Sequence, residues 1–227
     1  MRFAAGIFNR RKKMFVKDVM KKNPVTVGTD ASVLEAKKIM GKNNVNKLPV
    51  LDKNGTLAGI ITKNDLLKAS PSDATTLDVF EMGYLLSKLT VEKIMVKKVT
   101  VVSENETVEE AARLMDDYDI GCLPVMRDKL LVGIVTESDL FKAFIGMFGT
   151  RHAGVRATFT MKDEPGVLSR FAESLASKNG NIVSLVTTDV EDAGLRKVTL
   201  RVTGLSKDDF KNMFDSSFGE LEDVRNV

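Results

Sequence analysis

The sequence predicts a mixed fold of α/β and α+β character. Two pseudo-symmetric units of strand–helix–strand–strand–helix are followed by a smaller ferredoxin-like βαββα(β) domain. Three observations predict it. Four blocks of sequence recur in the same order at an offset of 74 or 75 residues, each block alternates short β-branched runs with apolar stripes of helical period, and the pattern changes after Gly146-Met147-Phe148-Gly149-Thr150.

The recurring blocks begin with Val16-Lys17-Asp18-Val19-Met20, matched by Val91-Glu92-Lys93-Ile94-Met95. Pro24-Val25-Thr26-Val27 and Val99-Thr100-Val101-Val102 read as strands. Ser32 with Glu35, and Thr107 with Glu110, have the spacing of capping boxes that start helices. Behind them, Val33, Ala36, Ile39 and Met40, and likewise Val108, Ala111, Leu114 and Met115, form apolar stripes that core packing explains without a cofactor. Lys47-Leu48-Pro49-Val50-Leu51 and Cys122-Leu123-Pro124-Val125-Met126 each open a hairpin whose second strand ends at Thr62 or Thr136. Asp65-Leu66-Leu67-Lys68 and Asp139-Leu140-Phe141-Lys142 then open a closing helix. One such unit is too small to bury both sheet faces, so the two are expected to pack as a pair.

The last third starts with alternation from Val155 to Met161, a strand, and the turn Asp163-Glu164-Pro165-Gly166. An amphipathic helix carrying Val167, Leu168, Phe171, Leu175 and Ala176 follows and stops at Asn179-Gly180. Strands over 182–188 and 198–202 flank a turn at 191–194, a helix runs from Ser206 to about Phe214, and a short last strand is placed near Val224. The chain thus divides into a basic arm (1–14), a first repeat (15–72), a connecting helix (73–89), a second repeat (90–146), a linker (147–154) and a C-terminal domain (155–227).

Composition narrows the function classes. With 227 residues and 43% hydrophobic content the chain can build real cores, and its charge of +3, from 34 basic and 31 acidic residues, leaves no nucleic-acid footprint. Cys122 is the single cysteine and His152 the single histidine, so neither an internal disulfide nor a metal-ligand spacing is present, and a reducing, cytoplasmic setting is expected. No apolar run approaches the roughly 20 residues of a membrane span. The basic run Asn9 to Lys13 reads as a terminal arm, with Met14 as an alternative start. Neither a nucleophile–base pair nor a phosphate loop stands out, which argues against an enzyme, and no helix-turn-helix is evident.

The repeated Thr-x-x-Asp carries the chemistry. At a strand-to-helix junction a threonine hydroxyl and a carboxylate three residues later can face one cleft, where the carboxylate accepts from two sugar hydroxyls. The apolar run through Pro49 and Val50, or Pro124 and Val125, would supply a flat slot for a purine. The alternative is that Thr62/Asp65 and Thr136/Asp139 merely cap their helices. Lys47 and Lys63 in repeat one stand where repeat two has Cys122 and Glu137, so phosphates favour the first cleft, although surface solvation explains both lysines equally well.

Gly-h-h-Thr-x-x-Asp-Leu after a Leu-Pro-Val strand, given twice from about Phe15 to Ile145, resembles a tandem pair of cystathionine-β-synthase (CBS) domains, the arrangement called a Bateman module. That resemblance implies binding of AMP, ADP, ATP, S-adenosylmethionine or NAD, with Thr62 and Asp65 serving one cleft and Thr136 and Asp139 the other. Asp163-x-Pro-Gly-Val-Leu168 with Gly180-Asn181-Ile182 resembles the ACT regulatory domain. It implies an amino-acid pocket at Asp163, Gly166, Val167, Leu168 and Asn181, commonly at a subunit interface; the alternative is a simple turn in a domain that only dimerises. The CBS-CBS-ACT order, with Ala69-Ser70-Pro71-Ser72 between repeats, is similar to the acetoin-utilisation B-type proteins. The implied role is a non-catalytic homodimeric sensor that modulates an unidentified partner protein. An enzyme acting on a nucleotide, and a scaffold without ligand, stand as the alternatives.

Overall fold

The segment that leads into each repeat is too short and too polar to make a sheet of its own, and it pairs with the other repeat instead. In a computed structural model, residues 14–69, 84, 86–191 and 194–227 are described, and they divide into two compact units, one ending at Leu140 and the other beginning at Phe141. In the first unit, repeat one runs α1 (Val16–Val19), β1 (Lys21–Lys22), β2 (Val27–Gly28), α2 (Val33–Asn43), β3 (Lys47–Leu51), β4 (Leu57–Thr62) and α3 (Lys63–Lys68). Repeat two runs α4 (Val91–Ile94), β5 (Val102–Ser103), α5 (Val108–Asp117), β6 (Cys122–Arg127), β7 (Leu130–Thr136) and α6 (Glu137–Met147), the last crossing the unit boundary. Most of the connecting helix expected over 73–89 lies outside the described residues, as does the arm before Met14.

The sheets are built by exchange. The hairpin β3–β4 carries β2 in parallel at its edge, and β6–β7 carries β5 in the same way. β1 of repeat one then pairs with β7 of repeat two, Lys21 opposite Ile134, while Val96 of repeat two trades both backbone hydrogen bonds with Ile60 of repeat one. Several of the exchanged bonds recur in equivalent places. The Lys17 amide donates to the Glu104 carbonyl and its counterpart Glu92 to Thr29; the Val108 amide donates to Met14 and its counterpart Val33 to Leu89. The expected pairing of the repeats is therefore a backbone merger as well as a packing of cores.

The repeated glycine of the sequence motif belongs to this merger. A methyl group at residue 59 would stand 2.5 Å from the Met95 sulfur and 2.9 Å from the Val96 carbonyl oxygen, and one at Gly133 would collide with Met20 and the backbone of Lys21 in the same manner. Around it, the helix stripes behave as their period requires: Val33, Ala36 and Met40, with Leu48, Val50 and Ile61, form one buried cluster. Ser32 and Glu35 make the full capping box. Thr107 accepts from the Glu110 amide, but the Glu110 carboxylate turns to Arg113 instead of closing the box. The strands anticipated at 24–27 and 99–102 are shorter and lie later, because only Val27 and Val102 reach a neighbouring strand.

The second unit is an antiparallel sheet in the order β11–β8–β10–β9, made of β8 (Val155–Lys162), β9 (Asn181–Asp189), β10 (Leu195–Thr203) and β11 (Glu220–Asn226), with helices α7 (Val167–Ser177) and α8 (Lys207–Met213). Phe159, Phe171 and Phe210 are fully buried between sheet and helices, the first two with ring centroids 4.9 Å apart. The last strand, expected only as a short stretch near Val224, spans seven residues and pairs along β8. Residues 192 and 193 of the turn anticipated at 191–194 fall outside the described residues.

Two outcomes test this account. Gly→Ala in extended backbone ordinarily stabilises by removing freedom from the unfolded chain; Gly59→Ala is expected to destabilise, by about 1–3 kcal/mol for an overpacked core, read as a lower urea midpoint. Glu104, next to the exchanged backbone, is hydrogen-bonded by Arg127, which holds its carboxyl below the ordinary value of 4.5. A carboxyl depressed by folding stabilises above its unfolded value, and that contribution disappears as pH falls through the folded value. The melting temperature of Glu104→Gln should therefore trail that of the parent at pH 7 and converge with it in acid.

Candidate functional site

Each closing helix starts on the last residue of the preceding strand, because Thr62 and Thr136 end β4 and β7 in extended backbone and the helix begins at the next residue. The Thr62 amide and hydroxyl both donate to Oδ2 of Asp65, at 2.8 and 2.7 Å, and the Asp65 amide donates back to the Thr62 hydroxyl at 3.3 Å. In repeat two the Thr136 amide and hydroxyl reach Oδ2 of Asp139 at 3.1 and 2.6 Å. Asp139 is 8% exposed and Asp65 half-buried. The helix-capping role weighed against binding is thus complete in repeat one, and repeat two keeps the aspartate half of it. It uses one oxygen only: among the described residues Oδ1 of each carboxylate has no hydrogen-bond partner and keeps some contact with solvent.

The other site residues named from sequence are distributed differently. Val50 and Val125 are 0% exposed and belong to the core, and Pro49 and Pro124, which alternate with them along the strands, are buried as well. Lys63 lines a cavity of about 320 Å³ together with Lys37, Asn44, Asn46 and Leu66, and neither Thr62 nor Asp65 is in its wall. Lys47 crosses to the other repeat, where its ammonium donates to the Gly121 carbonyl at 2.5 Å. A methyl group on Gly121 would meet both Lys47 Nζ and the Glu137 carboxylate, which places those two side chains around the same residue. The charge contrast drawn between the clefts therefore blurs: a lysine from repeat one sits beside the acid of repeat two. Cys122 is buried next to it, and burial pushes its thiol pKa up while Lys47 opposes the shift. Sequence reasoning passed over Asn44 and Asn46. The signal was the Asn43-Asn44-Val45-Asn46 run, where Asn44 ends α2 in left-handed backbone at φ 51°.

In the second unit Asp163 and Gly166 lie on the loop after β8, and Val167 and Leu168 on the first turn of α7 that follows it. Asp163 donates its amide to the Gly194 carbonyl and pairs with Arg196 at 3.1 Å, Gly166 caps α7 at φ 88°, Val167 is buried and Leu168 exposed. Asn181 is exposed at the far end of the sheet. It pairs with Thr203 at one end of β10, whereas Leu195 at the other end pairs with Lys162, next to that loop. The separation follows from topology: α7 carries the chain back along the sheet before β9 starts, so about 26 Å of strand, at roughly 3.3 Å per residue, divides Asn181 from Asp163 within one chain.

Among the described residues no group of His, Cys, Asp or Glu is arranged to hold a metal, and no helix is long and apolar enough to cross a membrane.

Comparison with known proteins agrees with the two-part architecture. Residues 16–72 and 91–146 match the CBS domain family, and residues 153–225 match the TTHA0829-like ACT domain family. The chain is 38% identical over 132 residues to an L-aspartate semialdehyde sulfurtransferase of Methanocaldococcus jannaschii; the match takes in 58% of this chain and 23% of that one, so the chain spans about a quarter of that enzyme. A solved Vibrio cholerae protein assigned by name to acetoin utilization (AcuB) is 30% identical, with a TM-score of 0.50 over 60% of this chain and 94% of that chain. The CBS domain pair of protein MJ0100, solved in complex with 5'-methylthioadenosine and S-adenosyl-L-methionine, is 36% identical over 61% of this chain and 98% of that chain, with a TM-score of 0.49.

The arrangement around Cys122 makes a chemical prediction. Thiolate, not thiol, is the reactive form, and burial raises the pKa and blocks access together. Cys122 is expected to react with 5,5'-dithiobis(2-nitrobenzoate) at least a hundredfold more slowly in the folded chain than in urea; equal rates would contradict the placement. With its merged repeats and the four-stranded domain that follows them in sequence, the chain belongs to the CBS domain family as a tandem pair joined to an ACT domain.

Proposed function

We propose that the chain is a non-catalytic regulatory protein that binds an adenosine-containing ligand at its duplicated Thr–Asp junctions and alters the activity of a partner protein. The observation that carries this reading is the divided carboxylate. Oδ2 of Asp65 and of Asp139 is held in place by the chain's own amide and hydroxyl, and Oδ1 is left to accept from ribose hydroxyls. A pre-oriented acceptor loses little freedom on binding, and charge-assisted hydrogen bonds are the strong ones.

AMP, ADP, ATP, S-adenosylmethionine and NAD are the ligand class that the CBS family implies. Lys63, two residues before Asp65 in the chain, shares a cavity with Lys37 and favours a phosphate-bearing ligand at the first junction, and the second junction suits a less charged adenosyl compound. An L-aspartate semialdehyde sulfurtransferase that contains a similar stretch as a quarter of its length supports a role attached to catalysis rather than performing it. In the ACT domain, Asp163 to Leu168 would hold an amino acid only if Asn181 came from a second copy, since one chain separates them; the working form is then a homodimer. A reducing compartment suits its single buried thiol.

The test is calorimetric titration of the full chain with AMP, ATP, S-adenosylmethionine and NAD, alongside Asp65→Ala and Asp139→Ala. At least one compound should bind, and the matching alanine variant should weaken it tenfold or more, as loss of a charged hydrogen-bond acceptor predicts. Undiminished binding in both variants overturns the assignment, and turnover of a bound nucleotide overturns the non-catalytic role.

A further inference from the structure

Across the open face of the C-terminal sheet, one row of paired residues reads Arg225 on β11, Arg156 on β8, Arg201 on β10 and Ser184 on β9. Three guanidinium groups therefore stand on adjacent strands, each directly opposite the next. Their only carboxylate among the described residues is Asp223, which holds Arg225 at 2.8 Å and Arg156 at 3.2 Å. Arg201 is 8% exposed and has no carboxylate within ion-pair distance among the described residues; one of its five N–H donors reaches the His152 carbonyl at 2.7 Å. Like charges directly opposite in a sheet destabilise it, and a buried charge without a counter-ion is costly.

Both Arg156 and Arg201 line a cavity of about 310 Å³, with Thr150, Ser184, Thr199 and Phe148 in its wall. The volume is at the small end of ligand sites. Its rim is fixed: Gly149 takes a left-handed conformation at φ 59°, its missing side chain leaves room for Val183, and the Ser184 hydroxyl ties down the Phe148 carbonyl at 2.9 Å. Register shifts next to Arg201, where Val202 pairs with Ile182, a bulge of the kind that re-aims a side chain. Because the Ser184 and Thr150 hydroxyls donate to backbone carbonyls, they present their oxygens as acceptors to whatever occupies the cavity.

We propose that this sheet-face cavity binds a small oxyanion, a carboxylate or a phosphate monoester that carries a hydroxyl group, with Arg201 and Arg156 on the anionic end and Ser184 and Thr150 accepting from the hydroxyl. This site is separate from the loop of Asp163 to Leu168 and from the Thr–Asp junctions, and it does not depend on either.

Thermal shifts of the full chain with inorganic phosphate, glycerol 3-phosphate and lactate, each against sodium chloride at matched ionic strength, test the proposal and separate the two oxyanion sources. At least one should raise the melting temperature saturably, and Arg201→Gln should weaken the apparent affinity tenfold or more. Because Arg201 is buried, the half-exposed Arg156→Gln provides a second variant with the same expected loss. The double variant Asp65→Ala, Asp139→Ala should respond like the parent, so that failure of the adenosyl reading leaves this result standing. A response no larger than that to chloride, responses undiminished from the parent in both arginine variants, or a dimer that Arg156→Glu dissolves without any anion effect overturns it.

Discussion

The reciprocal exchange of leading segments between the two repeats is the constraint on which the first unit depends. Neither hairpin sheet is complete alone. β7 needs Lys21 and Lys22 from repeat one, and β4 needs Val96 from repeat two. Unpaired strand edges expose donors and acceptors that must find partners, and here each repeat supplies the other's. This explains why the offset between blocks is so regular. A bond such as Lys17 to Glu104 has its twin in Glu92 to Thr29, and the one-residue change of offset falls in the hairpin turn, where it leaves the exchanged bonds intact. It also explains the glycine in each motif, which sits where the other repeat's backbone arrives.

The Thr–Asp pair shows how one side chain can serve structure and chemistry without compromise. Capping a helix needs one acceptor oxygen near the first-turn amides, and a carboxylate has two. In repeat one the threonine hydroxyl takes the capping task, accepting from the Asp65 amide, and in both repeats Oδ2 of the aspartate accepts from the threonine amide and hydroxyl. Reading the pair as cap or as ligand contact therefore sets up a choice that the geometry does not force. The core beneath acts in the same sense. Leu48, Val50, Leu123 and Val125 are fully buried, so the strand that runs past each junction is held rigid from below.

Much of this was legible in sequence because it depends on local pattern. The Ser32–Glu35 box, the Val33–Ala36–Met40 stripe, the hairpins and the βαββαβ order all follow from residues within one turn or one strand of each other. What was not legible depends on residues far apart in the chain. Lys21 and Lys22 give no strand signal, since a two-residue polar run pairs only because a partner edge waits for it. Lys47 reads as a cleft lysine until the repeats meet and bring Gly121 to its ammonium group. Asn181 looks adjacent to the Asp163 loop in motif terms, yet the return path of α7 sends it to the other end of the sheet. The arginine row is invisible for the same reason: residues 156, 201 and 225 share no local pattern, and only strand register lines them up.

Regulation by such a chain requires two states that a ligand binds unequally. The exchange supplies a physical basis for coupling inside the first unit. The helix that each Thr–Asp junction starts follows directly on the strand that receives the other repeat, with Ile60 two residues from Thr62 and Ile134 two residues from Thr136. A ligand at one junction would act on a strand whose edge is completed by the opposite copy. The β4 and β7 edges are therefore the elements whose pairing a ligand would have to favour in one state over the other.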